Sequence, residues 1–216
     1  MSSSIVVFGA GGRAGRRAVA EAVARGHRVT AVVRDPDGYT DLAGDGVTIV
    51  AGDVTRADSV AEAAAGHDAA ISAAGRLDMP SDEFYVSATH ALLDGLARAG
   101  VGRLVLIGIG STLETAPGVA VHDAPGFPAE ARAFSLGHTA ELAALRAAET
   151  DIDWLVVAPP PVMLDDTAPR TGRYRTGAGQ VMADGAPSFS YADLAVALID
   201  EIETPKHHRS LTAVAG

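Results

Sequence analysis

The sequence predicts an α/β fold built on a doubly wound parallel sheet, and three observations predict it. Short apolar, β-rich runs alternate with segments of helical spacing five times in order, the pattern of a parallel sheet covered on both faces. The first such run ends in a glycine cluster that opens a helix. The chain has 216 residues, 48% hydrophobic and 20% charged, which suits one α/β domain spanning residues 1–216 better than two independent cores. Right-handed crossovers leave the doubly wound topology as the main option.

The elements follow in order. Ile5 to Phe8 is an apolar run that stops at Gly9, and helical spacing from Ala18 to Ala24 stops at Gly26. Arg28 to Val33 and Val47 to Val50 read as the second and third strands. Ser59 to Ala65 reads as helix and Ala69 to Ser72 as the fourth strand. Ser81-Asp82-Glu83 opens a long helix toward Ala99 and Gly100, with the serine or the aspartate as its expected cap. Leu104 to Ile109 is a continuous apolar run, as in a strand buried on both faces. Glu130 to Glu149 is mostly helix, and Trp154 to Ala158 is a sixth strand stopped by Pro159, Pro160 and Pro161. Beyond the prolines the alternation weakens. Thr171 to Gly179 reads as a loop or hairpin, Tyr191 to Glu203 as a last amphipathic helix, and Leu211 to Val214 as a short strand. This tail is expected to form a small C-terminal extension on the substrate side. No internal repeat, linker or low-complexity tract interrupts the chain.

Composition excludes several classes. The formal net charge is -10, which argues against broad binding to nucleic acid or to an anionic membrane. There are no cysteines, so disulfides, thiolate catalysis and Cys-based zinc sites are absent. Met1 and three serines lead directly into the first strand with no basic and apolar leader. No apolar run approaches the roughly 20 residues that span a bilayer. The expectation is a soluble, cytoplasmic protein, monomeric or homodimeric, acting on a small molecule.

The glycine cluster carries the first functional signal. Val7-Phe8-Gly9-Ala10-Gly11-Gly12-Arg13-Ala14-Gly15 joins strand to helix. Such a turn must be tight, must let backbone approach a pyrophosphate, and must let the helix pack on the strand. Glycine meets all three needs because it has no Cβ. The helix then aims free N–H groups and the positive end of its dipole at the phosphates. After a buried strand and before a helix, this spacing marks a dinucleotide site, in a Rossmann-type fold. Gly9, Gly11, Gly12, Arg13, Ala14 and Gly15 are the candidate contacts.

The end of the second strand bears on which dinucleotide. An acid there favours NAD, and cations favour the 2′-phosphate of NADP. Arg34 stands at that end, and Arg13 is expected to project from the turn toward the same region; two guanidiniums suit a phosphate. The reading is NADPH, with NAD the less favoured cofactor. Asp35 leaves two readings open: it pairs with Arg34, or it binds ribose and favours NAD. Asp53, in Gly52-Asp53-Val54, either meets the adenine amino group or caps the next helix. Ala73-Ala74-Gly75 let the backbone run beside the cofactor ribose.

These residues carry a resemblance. Gly9 to Gly15, Arg34-Asp35, Gly52-Asp53-Val54, Asp153-Trp154 to Pro160, Thr171-Gly172-Arg173-Tyr174 and Tyr191 to Ala195 resemble the atypical short-chain dehydrogenase/reductases. Within that group the likeness is to the small NAD(P)H-binding proteins of the NmrA-like and biliverdin-IX-beta (flavin) reductase type. It spans nearly the whole chain, and it implies a cofactor contact at Val54 and Pro159. Typical short-chain dehydrogenases carry a Tyr-x-x-x-Lys pair in the helix after the fifth strand. Here the matching stretch is Phe134-Ser135-Leu136-Gly137-His138. Phenylalanine has no proton to give, whereas His138 has the chemistry to hold ribose or relay a proton. The resemblance places Ser111 near the nicotinamide, where its hydroxyl would orient an acceptor. Those reductases often carry a histidine where this chain has Pro161, which argues against transferring biliverdin reductase activity.

Other candidates are weaker. His122-Asp123 reads as a loop pair, Tyr174 as a packing residue, and Tyr191 and Asp193 as the start of the last helix. His207-His208 lacks a neighbouring third ligand, so no metal is assigned. The leading expectation is an NADPH-dependent reductase passing hydride to a flavin, quinone or carbonyl compound, with Ser111 and His138 catalytic. The alternatives are a non-catalytic NADP-binding redox sensor and a nicotinamide-dependent epimerase or isomerase. Substrate choice is expected to lie in the loops Leu113 to Glu130 and Val162 to Pro187.

Overall fold

Alternate residues of the central strands face opposite sides, so each strand serves two cores. In a computed structural model of the chain, residues 2–183 and 188–216 are described. Residues 184–187, the end of the expected substrate loop, and Met1 lie outside the described residues. Val6, Phe8, Leu104, Leu106, Trp154 and Val156 pack on one face with Phe84, Leu92, Leu96 and Leu145. Ile5, Val7, Val105, Leu155 and Val157 pack on the other with Ala18, Leu194 and Leu198.

The strands are β1 (Ser4–Phe8), β2 (Arg28–Val33), β3 (Val47–Ala51), β4 (Ala69–Ser72), β5 (Arg103–Ile107), the short pair β6 (Glu114–Ala116) and β7 (Val119–Ala120), β8 (Asp153–Ala158), β9 (Leu164–Asp165), β10 (Arg175–Gly177), β11 (Phe189–Ser190) and β12 (Ser210–Ala215). The helices are α1 (Arg13–Ala24), α2 (Ala57–Ala64), α3 (Ser81–Ala99), α4 (Ala129–Ala147) and α5 (Tyr191–Glu203). The main sheet has eight strands in the order β10-β12-β8-β5-β4-β1-β2-β3. Its pairings are parallel except for β10 against β12. This is the Rossmann-like α/β architecture that the sequence predicts. The chain leaves β1 toward β2 and β3, then returns to place β4 on the other side, so the crevice between β1 and β4 is the topological switch point.

Several local readings need correction. Helix α1 starts at Arg13, well before the spacing that begins at Ala18. The cap of α3 is neither Ser81 nor Asp82. Pro80 holds that position without a side-chain bond, and Ser81 donates its Oγ–H to the Phe134 carbonyl instead (3.1 Å). Strand β5 ends at Ile107, because Gly108 and Gly110 leave the sheet to pack closely on Val156 and on Pro160-Pro161. The Thr171–Gly179 segment forms no local hairpin. Its β10 pairs antiparallel with β12, so part of the tail belongs to the main sheet.

Candidate functional site: a dinucleotide groove

The turn after β1 is built from glycines that the packing requires. Gly9 has φ +74°, and a Cβ there would stand 2.6 Å from the backbone of Ala74. The loops leaving β1 and β4 therefore touch only because Gly9 is bare. A Cβ on Gly15 would fall 2.2 Å from the Gly9 carbonyl oxygen, so Gly15 seats α1 against the turn. Gly12 differs. It caps α1, and a Cβ there would meet only the Gly9 carbonyl, at 3.5 Å. No side chain caps α1 and no acid sits in its first turn, so its leading N–H groups remain open to an anionic ligand.

From this turn a groove of about 430 Å³ runs over the carboxyl ends of β1 to β4. Gly9, Gly11 and Gly12 line it from the first turn, Arg34, Asp35 and Tyr39 from beyond β2, Asp53 and Val54 from beyond β3, and Ala73, Ala74, Gly75 and Arg76 from beyond β4. Its size and the bare backbone at Gly12 fit the adenosine end of a dinucleotide. Arg76 donates two hydrogen bonds to Asp78, at 2.8 and 2.6 Å, and Arg34 stands 3.9 Å from the same carboxylate. The Arg76 guanidinium holds the Asp78 carboxyl down to about 2. Burial opposes the charge on Asp53, but the N–H and hydroxyl of Thr55 both donate to its Oδ1 and hold it below the usual carboxylate range. Asp53 does not cap α2, whose cap position is Arg56.

The expected pairing of Arg13 with Arg34 is not what the structure places there. The Arg13 guanidinium carbon stands 5.5 Å over the Tyr191 ring, outside the residues lining the groove. Arg76 is the second arginine of the groove. Asp35 makes no ion pair with Arg34 among the described residues; it caps the 3₁₀ turn Pro36–Leu42 by accepting from the Asp37 N–H. Ala14 and Gly15 both belong to the first turn of α1, and neither lines the groove.

Ser111, His138 and buried Pro159 also lie outside the groove lining. The Ser111 Oγ is 2.7 Å from the Ser135 Oγ of α4, and the Ser111 carbonyl is 2.8 Å from His122 Nδ1. His122 is buried, and Arg132 clasps both its carbonyl and the Asp123 carboxylate, so this pair anchors the turn that carries Ser111. Pro161 closes the same turn: a Cβ on Gly110 would stand 2.4 Å from its nitrogen. His138 is buried in the seam between α3 and α4, its Nδ1 2.9 Å from Glu141 Oε2 and its ring 3.9 Å from that of Tyr85.

The remaining candidates are structural. The Tyr174 hydroxyl donates to Asp200 (2.6 Å). Asp193 does more than begin α5, since it accepts from the N–H groups of Thr171 and Gly172 and ties that loop down. His207 and His208 meet Glu201 and Asp153, which both pair with buried Arg103. Among the described residues no three metal-ligating side chains converge. Tyr39, Arg76, Tyr85 and Glu141 were not singled out from sequence. Arg76 directly follows Gly75, and Glu141 stands one helical turn past His138, so both had a readable signal.

Known proteins settle the family. The model of an NAD(P)H-binding family matches residues 9–205. The chain belongs to the NAD(P)H-binding family. The resemblance carried by the glycine turn is thus borne out, and a nicotinamide cofactor follows from it. The uncharacterized protein YwnB of Bacillus subtilis strain 168 is 33% identical over 208 residues, covering 94% of this chain and 93% of its own length. A Bacteroides thetaiotaomicron protein provisionally assigned as an epimerase is 32% identical, with TM-score 0.86 over 100% of this chain and 97% of its own. A Streptococcus pneumoniae TIGR4 protein provisionally assigned as an NADH-flavin reductase is 27% identical, with TM-score 0.84 over 99% of each chain. No helix among the described residues is long and apolar enough to cross a membrane.

Proposed function

We propose that this chain is an NADPH-dependent reductase that passes hydride to a small conjugated acceptor such as a flavin or quinone. The observation that carries the cofactor choice is the pair Arg34 and Arg76, converging on one carboxylate at the rim of the groove. Two guanidiniums that share a single anion suit a 2′-phosphate. The S. pneumoniae relative supports the acceptor class, although its name specifies NADH.

When bound, the reduced nicotinamide supplies the hydride. The chain's own work is to bind, orient and exclude water. Gly9, Gly12 and the open end of α1 hold the pyrophosphate, Arg34 and Arg76 the 2′-phosphate, and Asp53 the adenine edge. Ser111 orients the acceptor from the turn after β5. Position 134 of α4 is a phenylalanine, so that helix offers no phenolic acid there. A flavin or quinone tolerates this, because solvent can protonate the reduced ring.

An epimerase is the second reading, favoured by the 32% identical Bacteroides relative. The two separate by mixing the protein with NADPH and a panel of flavins, quinones and aldehydes while following reduced-nicotinamide absorbance. Steady NADPH loss that falls in Ser111→Ala supports the reductase. Tight binding without net loss over the whole panel rejects it and leaves the epimerase, which recycles its nicotinamide, or a binding-only sensor.

A further inference from the structure

Beside Phe134, which stands where the typical α4 tyrosine would be, α3 brings in a tyrosine of its own. Tyr85 enters the seam between the two helices, its ring centroid 3.9 Å from that of His138 and 5.9 Å from that of Phe134. The residue is 4% exposed. A Cβ on Gly75, which lines the groove, would stand 3.2 Å from the Tyr85 hydroxyl. That hydroxyl has no hydrogen-bond partner among the described residues, whereas every side-chain polar atom sealed from solvent has one. The hydroxyl is therefore not sealed from solvent, and it sits beside Gly75. A nearly buried hydroxyl left without a partner is costly unless water or a ligand completes it. Burial, and then the charge of Glu141, push the phenol pKa up, so the group stays protonated and is a hydrogen-bond donor.

His138 supplies the complement. Its Nδ1 faces the Glu141 carboxylate, which accepts, so a neutral ring carries its proton on Nδ1 and leaves Nε2 as an acceptor. Nε2 has no partner among the described residues. A donor and an acceptor carried on rings whose centroids are 3.9 Å apart suit a vicinal diol, whose hydroxyls both donate and accept. The ends of β2 and β3 take the adenosine side of the groove. Tyr85 and His138 lie in the seam between α3 and α4, outside the residues that line the groove, and the Tyr85 hydroxyl meets the loop that leaves β4 at Gly75.

We propose that Tyr85 is a cofactor-binding residue, its hydroxyl donating to the ribose on the nicotinamide side, with His138 Nε2 accepting from the same diol and Glu141 positioning His138. This rests on the reading that a nicotinamide dinucleotide fills the groove. Calorimetric titration with NADP⁺ and with adenosine 2′,5′-bisphosphate, which lacks the nicotinamide ribose, tests it. Tyr85→Phe should weaken NADP⁺ roughly three- to ten-fold, the loss of one neutral hydrogen bond, and leave the fragment unchanged. Equal loss for both ligands makes Tyr85 a packing residue and overturns the proposal, as does no loss for either. A wild-type chain that binds neither ligand instead sinks the dinucleotide reading itself. Glu141→Leu fills the same space without an acceptor. It should move the ¹⁵N resonances of His138 away from the Nδ1-protonated pattern and weaken NADP⁺ but not the fragment. Unmoved ring resonances would remove Glu141 from the positioning role.

Discussion

Alanine at Gly9 and alanine at Gly12 should fail in different ways. At Gly9 the new Cβ meets two penalties. The backbone is left-handed at φ +74°, which costs a non-glycine residue roughly 1–2 kcal/mol. The Cβ also falls 2.6 Å from the Ala74 backbone, and such overpacking costs about 1–3 kcal/mol. Together these lower stability by roughly 2–5 kcal/mol, a fall in Tm on the order of 10 °C for a chain of this size. Gly12 has ordinary φ of -74° and free space around its Cβ. Its alanine variant should melt within about 3 °C of wild type, since the change at the cap and the loss of chain entropy nearly offset. Yet it should bind NADP⁺ at least about ten-fold more weakly, because the Cβ takes the space where backbone meets pyrophosphate. Thermal melts and calorimetric titration read both quantities. Full NADP⁺ affinity in Gly12→Ala would refute the cradle. An unchanged Tm in Gly9→Ala would refute the packing of the two loops.

Two further predictions concern charge. Asp78→Asn should free Arg34 and Arg76 and tighten NADP⁺ by a few-fold without changing NAD⁺, the modest effect expected of an exposed pair; weaker NADP⁺ binding in titration would show that Asp78 instead positions the arginines. Buried Glu21 is held below its ordinary value of 4.5, first by the hydrogen bond from Arg170, then by Arg25, against the cost of burial. A depressed carboxyl stabilises the fold above its unfolded value and loses that contribution as pH falls through the folded one. Glu21→Gln should therefore lower the wild-type Tm near neutrality and flatten the acid limb below about pH 4.5; an acid limb unchanged by the substitution would contradict this.

The sheet was legible because its strands follow local rules. Ile5, Val7 and Val6, Phe8 alternate between two cores, and each run ends at a turn residue. The glycine turn was legible for the same reason: bare residues at Gly9 and Gly15 answer a contact made within one βαβ unit. The first turn of α1 was hidden because Gly15 serves packing on Gly9 rather than helical spacing. What spacing does not carry is side-chain direction and long-range pairing. Arg13 begins α1, but only the placement of α5 turns it toward Tyr191. Thr176 joins a strand by pairing with Val214, far along the chain. Tyr85 reads as one more apolar position of α3, and it meets His138 only once α3 and α4 pack, with Gly137 against Ser81.

The glycine turn and the groove arginines frame the proposed NADPH site. Its most direct test is the affinity of NADPH and of NADH for wild type and Arg34→Ala, by calorimetry at fixed ionic strength. Wild type should prefer NADPH, and Arg34→Ala should lose roughly ten-fold or more for NADPH, as when a charge-assisted bond is removed, while NADH binding stays the same. Equal affinities in wild type, or equal losses for both cofactors in the variant, would contradict it.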